Sequence, residues 1–290
     1  MKTKAAGKMP DNPIYGIRPV KSLGQNFLTD NNIAEKIVGS AEIKETDLII
    51  EIGPGAGSLT GRIAALAGRL VAVEIDKNLI PVLKNKLENF GNVEIINSDI
   101  LKMDIAGDIL CRYPGYLSYK VIANLPYYIT TPIMMKFIEC EIPPERMTFM
   151  MQKEVADRIK AGPGSKAYGS LSVVVGYHCI VSKVMDVSPN CFYPRPEVTS
   201  TVLNMDYRTK DKANLIQEDM FFIIVKAAFA QRRKKVSNSI ANTSGLDISR
   251  EQLEHMLMDM GLKTDARAES LSIENFADLS NGISKIEINK

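Results

Sequence analysis

The feature that most limits the fold is a repeat, in which short runs of apolar, β-branched residues alternate with segments of helical apolar spacing. The runs are DLIIEIG, RLVAVEID, VEIINSDI, YKVIANL and MTFMMQ, and the segments between them include SLTGRIAALAG and NLIPVLKNKLENF. Strands that alternate with helices form a parallel sheet with helices on both faces. The sequence therefore predicts an α/β fold built on a Rossmann-like sheet.

The 290 residues exceed the usual length of one domain, so we expect a larger and a smaller domain. We expect a flexible basic arm over residues 1–20, a Rossmann-like catalytic domain over 21–208 and a smaller all-α domain over 209–290. Within the second segment, SLSVVVGYHCIVSKVMDV and EVTSTVLNMDYR predict an antiparallel pair of edge strands. In the third, EDMFFIIVKAAFAQRRKKVSNSIAN predicts one long helix.

The composition excludes several classes of protein. The four cysteines are widely spaced and there are only two histidines, so neither a zinc site nor a disulfide framework is indicated. No stretch resembles a signal peptide or reaches membrane-spanning length. We expect a cytoplasmic protein that binds no metal and no membrane, and the formal net charge of +2 says little about its partners.

A glycine-rich loop, Gly53 to Gly57, follows one of the predicted strands and precedes a helix. Glycines allow a ligand to approach the backbone, and a helix N-terminus adds N–H donors. Alone, the loop fits a tight strand-to-helix turn equally well. Glu74 ends the next strand about twenty residues later, where a carboxylate can accept hydrogen bonds from ribose hydroxyls. Together the two features favour a nucleoside site.

The nature of that nucleoside follows from the spacing and from a second carboxylate. The loop reads G-x-G-x-G, unlike the dinucleotide fingerprint, and it has no Walker lysine to hold phosphates. Asp99 ends the third strand, where it could accept a hydrogen bond from an adenine amino group; we interpret Asp76, in contrast, as a helix cap. Carboxylates suit a cationic nucleoside without phosphates, so the sequence predicts S-adenosylmethionine.

The segment NLPY, Asn124 to Tyr127, is expected beside this site, at the carboxyl end of the fourth strand. The amino group of a nucleobase is a poor nucleophile, because its lone pair is delocalised into the ring. The Asn124 side-chain carbonyl and the Leu125 backbone carbonyl could accept its N–H bonds and orient the lone pair. Pro126 would fix the turn and Tyr127 would stack on the ring. The alternative is a simple turn with aromatics that cover the core, and Tyr128 is expected only to pack.

Four consecutive cations lie in AFAQRRKKVSNSI, within the long predicted helix. A run of charges usually forms the solvated face of a helix. Four cations with no acidic neighbour nevertheless form a dense positive site that suits an RNA phosphate backbone. The residues are Arg232, Arg233, Lys234 and Lys235, with Lys226 and the arm residues Lys2, Lys4 and Lys8 as a possible extension.

The ordered set KSLGQNFL, EIGPGAGSLT, VEID, NSDIL, NLPYY, QKEVADRI, FYPRPEVTS and AFAQRRKKVSNSI resembles the KsgA/RsmA-type small-subunit ribosomal RNA adenine dimethyltransferases. The resemblance runs from about Lys21 to the C-terminus. It implies transfer of two methyl groups from S-adenosylmethionine to N6 of each of two adjacent adenosines, in a hairpin loop near the 3′ end of 16S rRNA. It also implies a role in small-subunit biogenesis, and we expect a monomer that acts within a pre-30S particle.

The resemblance also implies roles for individual residues, which the matching motifs carry over. Tyr127 and Phe192 would sandwich an adenine flipped out of its stack. The catalytic residues would be Asn124, Leu125, Pro126, Tyr127 and Phe192. The cofactor contacts would be Asn26, Leu28, Gly53, Glu74, Asp99 and Asn124, with Gln25 as a further contributor. The helical segment 209–290 would bind RNA or the ribosome through Arg232, Arg233, Lys234 and Lys235.

Two other functions share parts of this pattern. A large-subunit rRNA adenine methyltransferase of the macrolide-resistance type would have the same cofactor and the same NLPY chemistry. KSLGQNF and the RRKK region favour the small-subunit type. A non-catalytic RNA-binding assembly factor is the other alternative, and the intact segment from Asn124 to Tyr127 argues against it.

Overall fold

The computed structural model describes residues 19–209 and 213–288. Lys2, Lys4, Lys8 and nearly all of the predicted basic arm therefore lie outside the described residues. The chain forms two compact units, of which the first holds the described residues up to Lys136 with Thr148–Met151 and Asp186–Ser200. The second holds Phe137–Met147, Gln152–Met185 and the described residues from Thr201 onward. This division differs from a boundary after residue 208, and the roles assigned to the predicted domains remain predictions.

The strands in the described part of the chain are β1 Phe27–Leu28, β2 Leu48–Ile52, β3 Arg69–Glu74, β4 Val93–Asn97, β5 Tyr119–Asn124, β6 Arg146–Gln152, β7 Cys179–Val187, β8 Phe192–Tyr193 and β9 Ser200–Tyr207. Seven of these nine strands form one sheet in the order β4-β3-β2-β5-β6-β9-β7, and β1 pairs with β8 in a separate two-stranded ladder. This Rossmann-like sheet confirms the predicted fold class.

The four strands β4, β3, β2 and β5 are parallel and in register. Ile52 of β2 lies opposite Val73 of β3 and Ala123 of β5, and Glu74 lies opposite Asn97 of β4. All five residues of β2 are buried, as expected for a strand covered on both faces. The strands therefore end at one edge of the sheet, where open α/β folds bind their ligands.

The helices are α1 Asn31–Ser40, α2 Thr60–Ala64, α3 Ile80–Lys86, α4 Thr130–Ile138, α5 Lys153–Lys160, α6 Ser170–His178, α7 Glu218–Ala230, α8 Val236–Ala241, α9 Arg250–Asp259 and α10 Ile273–Ile288. The core of the second unit forms around α6 to α10, with Phe221, Ile240, Leu257 and Phe276 among its buried residues. Within the described residues, no helix is long and apolar enough to cross a membrane.

One predicted strand is wrong in its first half, because residues 170–178 form helix α6. The valine-rich sequence SLSVVVGYH has the β-branched composition of a strand. The backbone N–H of Gly169 donates to the Ser172 hydroxyl at 3.1 Å, and Val173 and Tyr177 pack into the core of the second unit. The hydrogen bond at the start of the helix and the burial of Val173 and Tyr177 favour a helix more strongly than the β-branched residues favour a strand. The second half of that run is strand β7, and the other predicted edge strand is β9, its neighbour in the sheet.

The single long helix predicted around the basic residues is also wrong. Helix α7 ends at Ala230 and α8 begins at Val236, so the four cations occupy the turn between them. The backbone N–H of Lys234 donates to the Gln231 carbonyl at 2.9 Å and closes this turn. Arg232 and Lys235, three positions apart, would repel each other on one face of a continuous helix.

Candidate active site

An open cavity with an empty volume of about 950 Å³ lies in the first unit, at the carboxyl edge of the parallel strands. The cavity brings together the six residues predicted to contact the cofactor, of which Asn124 is also a predicted catalytic residue, and three further predicted catalytic residues. They are Asn26, Leu28, Gly53, Glu74, Asp99 and Asn124, followed by Leu125, Pro126 and Tyr127.

The glycine loop presents bare backbone to this cavity. Gly53 and Gly55 have φ of 63° and 60°, in the left-handed region that favours glycine. A Cβ atom on Gly55 would lie 3.1 Å from the Phe27 ring, whereas one on Gly53 would have nothing within 4 Å. The space beside Gly53 is therefore open to a ligand, and Gly55 allows Phe27 to support the loop.

A lysine of α3 fixes the same loop from the other side. Lys86 Nζ donates to the carbonyl oxygens of Ala56 at 3.1 Å and of Gly57 at 2.7 Å. Partial burial of the ammonium lowers the pKa of Lys86, with nearby Arg62 acting in the same direction. Sequence reasoning missed this contact, which joins residues about thirty positions apart and has no motif.

Glu74 combines a structural role with free acceptor capacity. Its side chain is buried, and Oε2 accepts from the Gly55 N–H at 3.0 Å while Oε1 accepts from the Asp76 N–H at 2.8 Å. Burial raises the pKa of this carboxyl, although the two backbone N–H groups act in the opposite direction. A carboxylate can accept about four hydrogen bonds, so both oxygens retain capacity for ligand hydroxyls.

Asp99 lines the cavity and also caps a short turn. Its Oδ1 accepts from the Leu101 N–H at 3.0 Å, and Lys102 Nζ lies 4.0 Å from Oδ2. The sequence interpretation preferred a ligand contact to a cap, but the cap is present. One carboxylate oxygen thus holds the turn, and the other forms the ion pair.

Asp76 is not among the residues that line the cavity, in keeping with its interpretation as a capping residue. Its Oδ1 accepts from the Asn78 N–H at 3.0 Å, and its Oδ2 accepts from Gln25 Nε2 at 3.0 Å. Gln25 Oε1 in turn accepts from the Val20 N–H at 2.7 Å. Gln25 lines the cavity, but both ends of its amide are used to attach the segment before β1 to the rest of the unit.

The NLPY turn is held at several points. Asn124 Nδ2 donates to the Asn26 carbonyl at 3.1 Å, which turns the amide so that Oδ1 remains an acceptor for a substrate. The Leu125 N–H donates to the Met150 carbonyl at 3.1 Å, and the Ile129 N–H donates to Pro126 at 3.2 Å. The backbone that carries these groups is therefore fixed by contacts to two other segments and by one bond within the turn.

The ring of Tyr127 is positioned by a partner that sequence reasoning missed. Its hydroxyl lies 2.8 Å from Ser200 Oγ, and Ser200 is fully buried. Burial raises the pKa of the Tyr127 hydroxyl. Phe192, the other half of the predicted sandwich, pairs with Leu28 between β8 and β1, is 5% exposed and does not line the cavity. The structure thus brings only Tyr127 of the two aromatic residues into the cavity wall.

Glu51 is a second residue of the cavity that the sequence analysis did not single out. It lies in β2, is 2% exposed, and its Oε2 has no hydrogen-bond partner. Burial raises the pKa of this carboxyl to about 8, and the nearby Glu74 carboxylate acts in the same direction. A glutamate within the apolar run LIIEIG was the available signal, because an unpaired charge in a buried strand is costly.

The predicted RNA-binding cations divide into two kinds. Arg232 Nη2 donates to the carbonyls of Lys166 at 2.8 Å and Tyr168 at 3.1 Å and lies 3.6 Å from Glu269 Oε2. The run has no acidic neighbour in the sequence, but in the fold Arg232 lies beside Glu269. Arg233 and Lys234 are exposed in the same turn.

The comparisons of this sequence with known proteins all point to the same family. Residues 18–285 match the family model described as ribosomal RNA adenine dimethylase. The chain is 47% identical over 271 residues to ribosomal RNA small subunit methyltransferase A of Alkaliphilus oremlandii, covering 93% of this chain and 94% of that protein. It is 44% identical over 270 residues to the protein of that name from Bacillus cereus, covering 93% and 92%.

Solved structures agree on the fold. A dimethyladenosine transferase from Plasmodium falciparum matches with a TM-score of 0.74 at 23% identity, over 91% of this chain and 97% of that one. The 23S rRNA methyltransferase ErmE matches with a TM-score of 0.69 at 23% identity, over 89% and 100%. The chain belongs to the ribosomal RNA adenine dimethylase family and is an S-adenosylmethionine-dependent rRNA adenine methyltransferase.

Proposed function

We propose that this protein dimethylates N6 of two adjacent adenosines in the hairpin loop near the 3′ end of 16S rRNA, as part of small-subunit biogenesis. The observation that carries the proposal is one cavity that combines the carboxylates of Glu74 and Asp99 with Asn124 and Tyr127. The bacterial relatives named as small-subunit methyltransferases support the small subunit over the large one.

The residues of the cavity fit S-adenosylmethionine. The open space beside Gly53 admits a ligand against the backbone, and Glu74 and Asp99 offer acceptors for hydroxyl and amino donors. An unpartnered buried oxygen of Glu51 leaves a further polar group in the wall. Carboxylates are also suited to the positive charge of a sulfonium compound. When bound, this cofactor supplies an electrophilic methyl group.

The chain itself would orient the nucleophile. Asn124 Oδ1 and the Leu125 carbonyl would accept the two N–H bonds of the adenine amino group, which directs its lone pair out of the ring plane. The hydrogen bonds from Asn124 to Asn26 and from Leu125 to Met150 hold these acceptors in place. No strong general base is required, because the amine loses its proton easily once it has been methylated.

Tyr127 would supply the stacking face for the flipped adenine, a contact that contributes roughly 1–3 kcal/mol per base. The bond to Ser200 holds that ring in one orientation. Phe192 would complete the sandwich from the far side. Phe192 does not itself line the cavity, although its strand partner Leu28 does, so this role requires the segment from β8 to close on the bound base.

The helical segment 209–290 would hold the RNA, with Arg233, Lys234 and Lys235 on the phosphate backbone and Arg232 supporting them. The protein would act as a monomer. We infer that the substrate is met in the cytoplasm as a pre-30S particle. No metal is needed for this reaction, and within the described residues no group of three histidine, cysteine or acidic side chains is arranged to hold one.

The decisive test is mass-spectrometric mapping of methylated adenosines in rRNA from cells with and without this protein. We expect two adjacent dimethyladenosines near the 3′ end of 16S rRNA that disappear when the protein is removed. Labelled methyl groups that enter only the large subunit would identify the macrolide-resistance activity instead. Binding of S-adenosylmethionine without any transfer to immature small subunits would identify a non-catalytic assembly factor.

A further inference from the structure

Tyr128 differs from every other aromatic side chain in the described part of the chain. It is 59% exposed, whereas the remaining phenylalanines and tyrosines of residues 19–209 and 213–288 are buried or only partly exposed. A single exposed apolar side chain needs no explanation by itself. The position of Tyr128 and the way it is supported are what distinguish it.

Tyr128 lies at the rim of the candidate active site. It shares one short helical turn, Tyr127–Ile129, in which both of its neighbours line the cavity and it does not. Tyr127 directs its hydroxyl inward to Ser200, while Tyr128 is open to solvent. Consecutive Cα atoms are about 3.8 Å apart. The Tyr128 ring, which faces solvent, therefore starts from the backbone directly beside the Tyr127 ring, which faces the cavity.

The Tyr128 ring is also supported from below. A Cβ atom on Gly24 would lie 3.1 Å from both Cδ1 and Cε1 of Tyr128, so only a glycine leaves the ring its present place. Gly24 has φ of 59°, which likewise favours glycine. The ring therefore rests against backbone on one side and is exposed on the other. An aromatic ring held in this way loses little conformational freedom when a flat ligand stacks on it.

We propose that Tyr128 is a second base-binding site, which stacks on the nucleobase that flanks the adenosine held at Tyr127. The inference rests on the proposed function, because it takes the Tyr127 side of the cavity as the place of the target base. Proteins that read single-stranded RNA stack unpaired bases on aromatic side chains. In a pair of adjacent adenosines, one base occupies the rim while the other occupies the cavity.

The test compares Tyr128→Leu with Tyr128→Phe, using small subunits that lack the modification as substrate. Leucine keeps an apolar side chain but removes the aromatic face, so we expect KM for the small subunit to rise on the order of tenfold. KM for S-adenosylmethionine should be the same in the two variants, and the fall in kcat should be smaller than the rise in KM. Phenylalanine, which retains the face, should stay within about twofold of the wild-type KM for the subunit.

Two results would overturn the inference. Equal KM values for the small subunit in Tyr128→Leu and Tyr128→Phe would show that no base stacks there. A Tyr128→Leu variant that chiefly raises KM for S-adenosylmethionine would show that the ring only supports Gly24 in the cavity wall. Leu117→Ala, at a fully exposed apolar residue outside the cavity, serves as the control. A wild-type protein that methylates no small-subunit rRNA would instead refute the proposed function itself.

Discussion

The hydroxyl of Tyr127 lies 2.8 Å from the hydroxyl of Ser200, a fully buried residue 73 positions later in the chain. This bond joins the turn after β5 to the first residue of β9. It fixes the ring that we assign to the target base, so Ser200 acts as a positioning residue.

We expect Ser200→Ala to lower kcat about tenfold, because a small misplacement of a substrate-holding group is costly in the transition state. Loss of one hydrogen bond should also lower the free energy of unfolding by about 1 kcal/mol. Tyr127→Phe removes the same bond from its other end. The double variant should therefore be no slower than the slower single variant, whereas additive losses would show that the two hydroxyls act independently.

Lys86 should contribute to cofactor affinity without touching the cofactor. Lys86→Met removes two hydrogen bonds to the carbonyls of Ala56 and Gly57, and we expect S-adenosylmethionine to bind about tenfold more weakly. Lys86→Arg, which can still donate to both carbonyls, should recover part of the affinity. Calorimetry should measure the affinity of both variants for S-adenosylmethionine. Lys84→Met, at an exposed lysine of the same helix, is the control for the loss of a positive charge without the loss of the two hydrogen bonds.

Glu51 should make the folded protein less stable as the pH rises. The pKa of this carboxyl is raised from an ordinary 4.5 to about 8, so the folded state holds a proton that the unfolded chain releases. The free energy of unfolding should fall as the pH rises from about 4.5 to about 8 and change no further above that range.

Glu51→Gln, a neutral side chain of similar shape, tests this directly. Its melting temperature should be close to that of the wild type at pH 5 and a few degrees higher at pH 8.5, since the variant has no charge to bury. Glu88→Gln, at an exposed residue, serves as the control. A difference between Glu51→Gln and the wild type that is the same at both pH values would contradict a titrating Glu51.

Arg232 and the next three residues should respond differently to substitution. Replacing Arg233, Lys234 and Lys235 with alanine should weaken RNA binding. The slope of log affinity against log salt concentration should fall by the contribution of up to about three phosphate contacts. Arg232→Lys keeps the charge but cannot bridge the carbonyls of Lys166 and Tyr168 as a planar guanidinium does. We expect it to keep the salt slope and to lose about 1 kcal/mol of stability. A salt slope changed as much by Arg232→Lys as by the triple variant would reverse this assignment.

The parallel sheet and the position of the site were predictable because their causes are local. Buried β-branched runs such as Leu48–Ile52 signal strands, and the residues after them gather at one sheet edge. Asn26 and Leu28 carry no such local signal, and only the resemblance of the whole motif pointed to them.

The rest depended on contacts that a linear pattern does not contain. The valines of α6 form a helix because the core of the second unit covers them, against their own preference. Ser200 and Lys86 act on groups 73 and about thirty positions away, through side chains that could as well face solvent. The turn at Arg232 likewise depends on carbonyls of Lys166 and Tyr168, which no spacing rule connects to it.

The pairing of β1 with β8 sets a limit on when the cofactor site can form. Phe27 and Leu28 pair with Tyr193 and Phe192, and Thr29 Oγ1 donates to the Cys191 carbonyl across 162 positions. At synthesis rates of 5–20 residues per second, the ribosome needs roughly 8–30 seconds to make the intervening chain. The wall formed by Asn26 and Leu28 therefore lacks its strand partner until late in translation. Nascent chains of this enzyme should acquire affinity for S-adenosylmethionine only after residue 193 has left the ribosome.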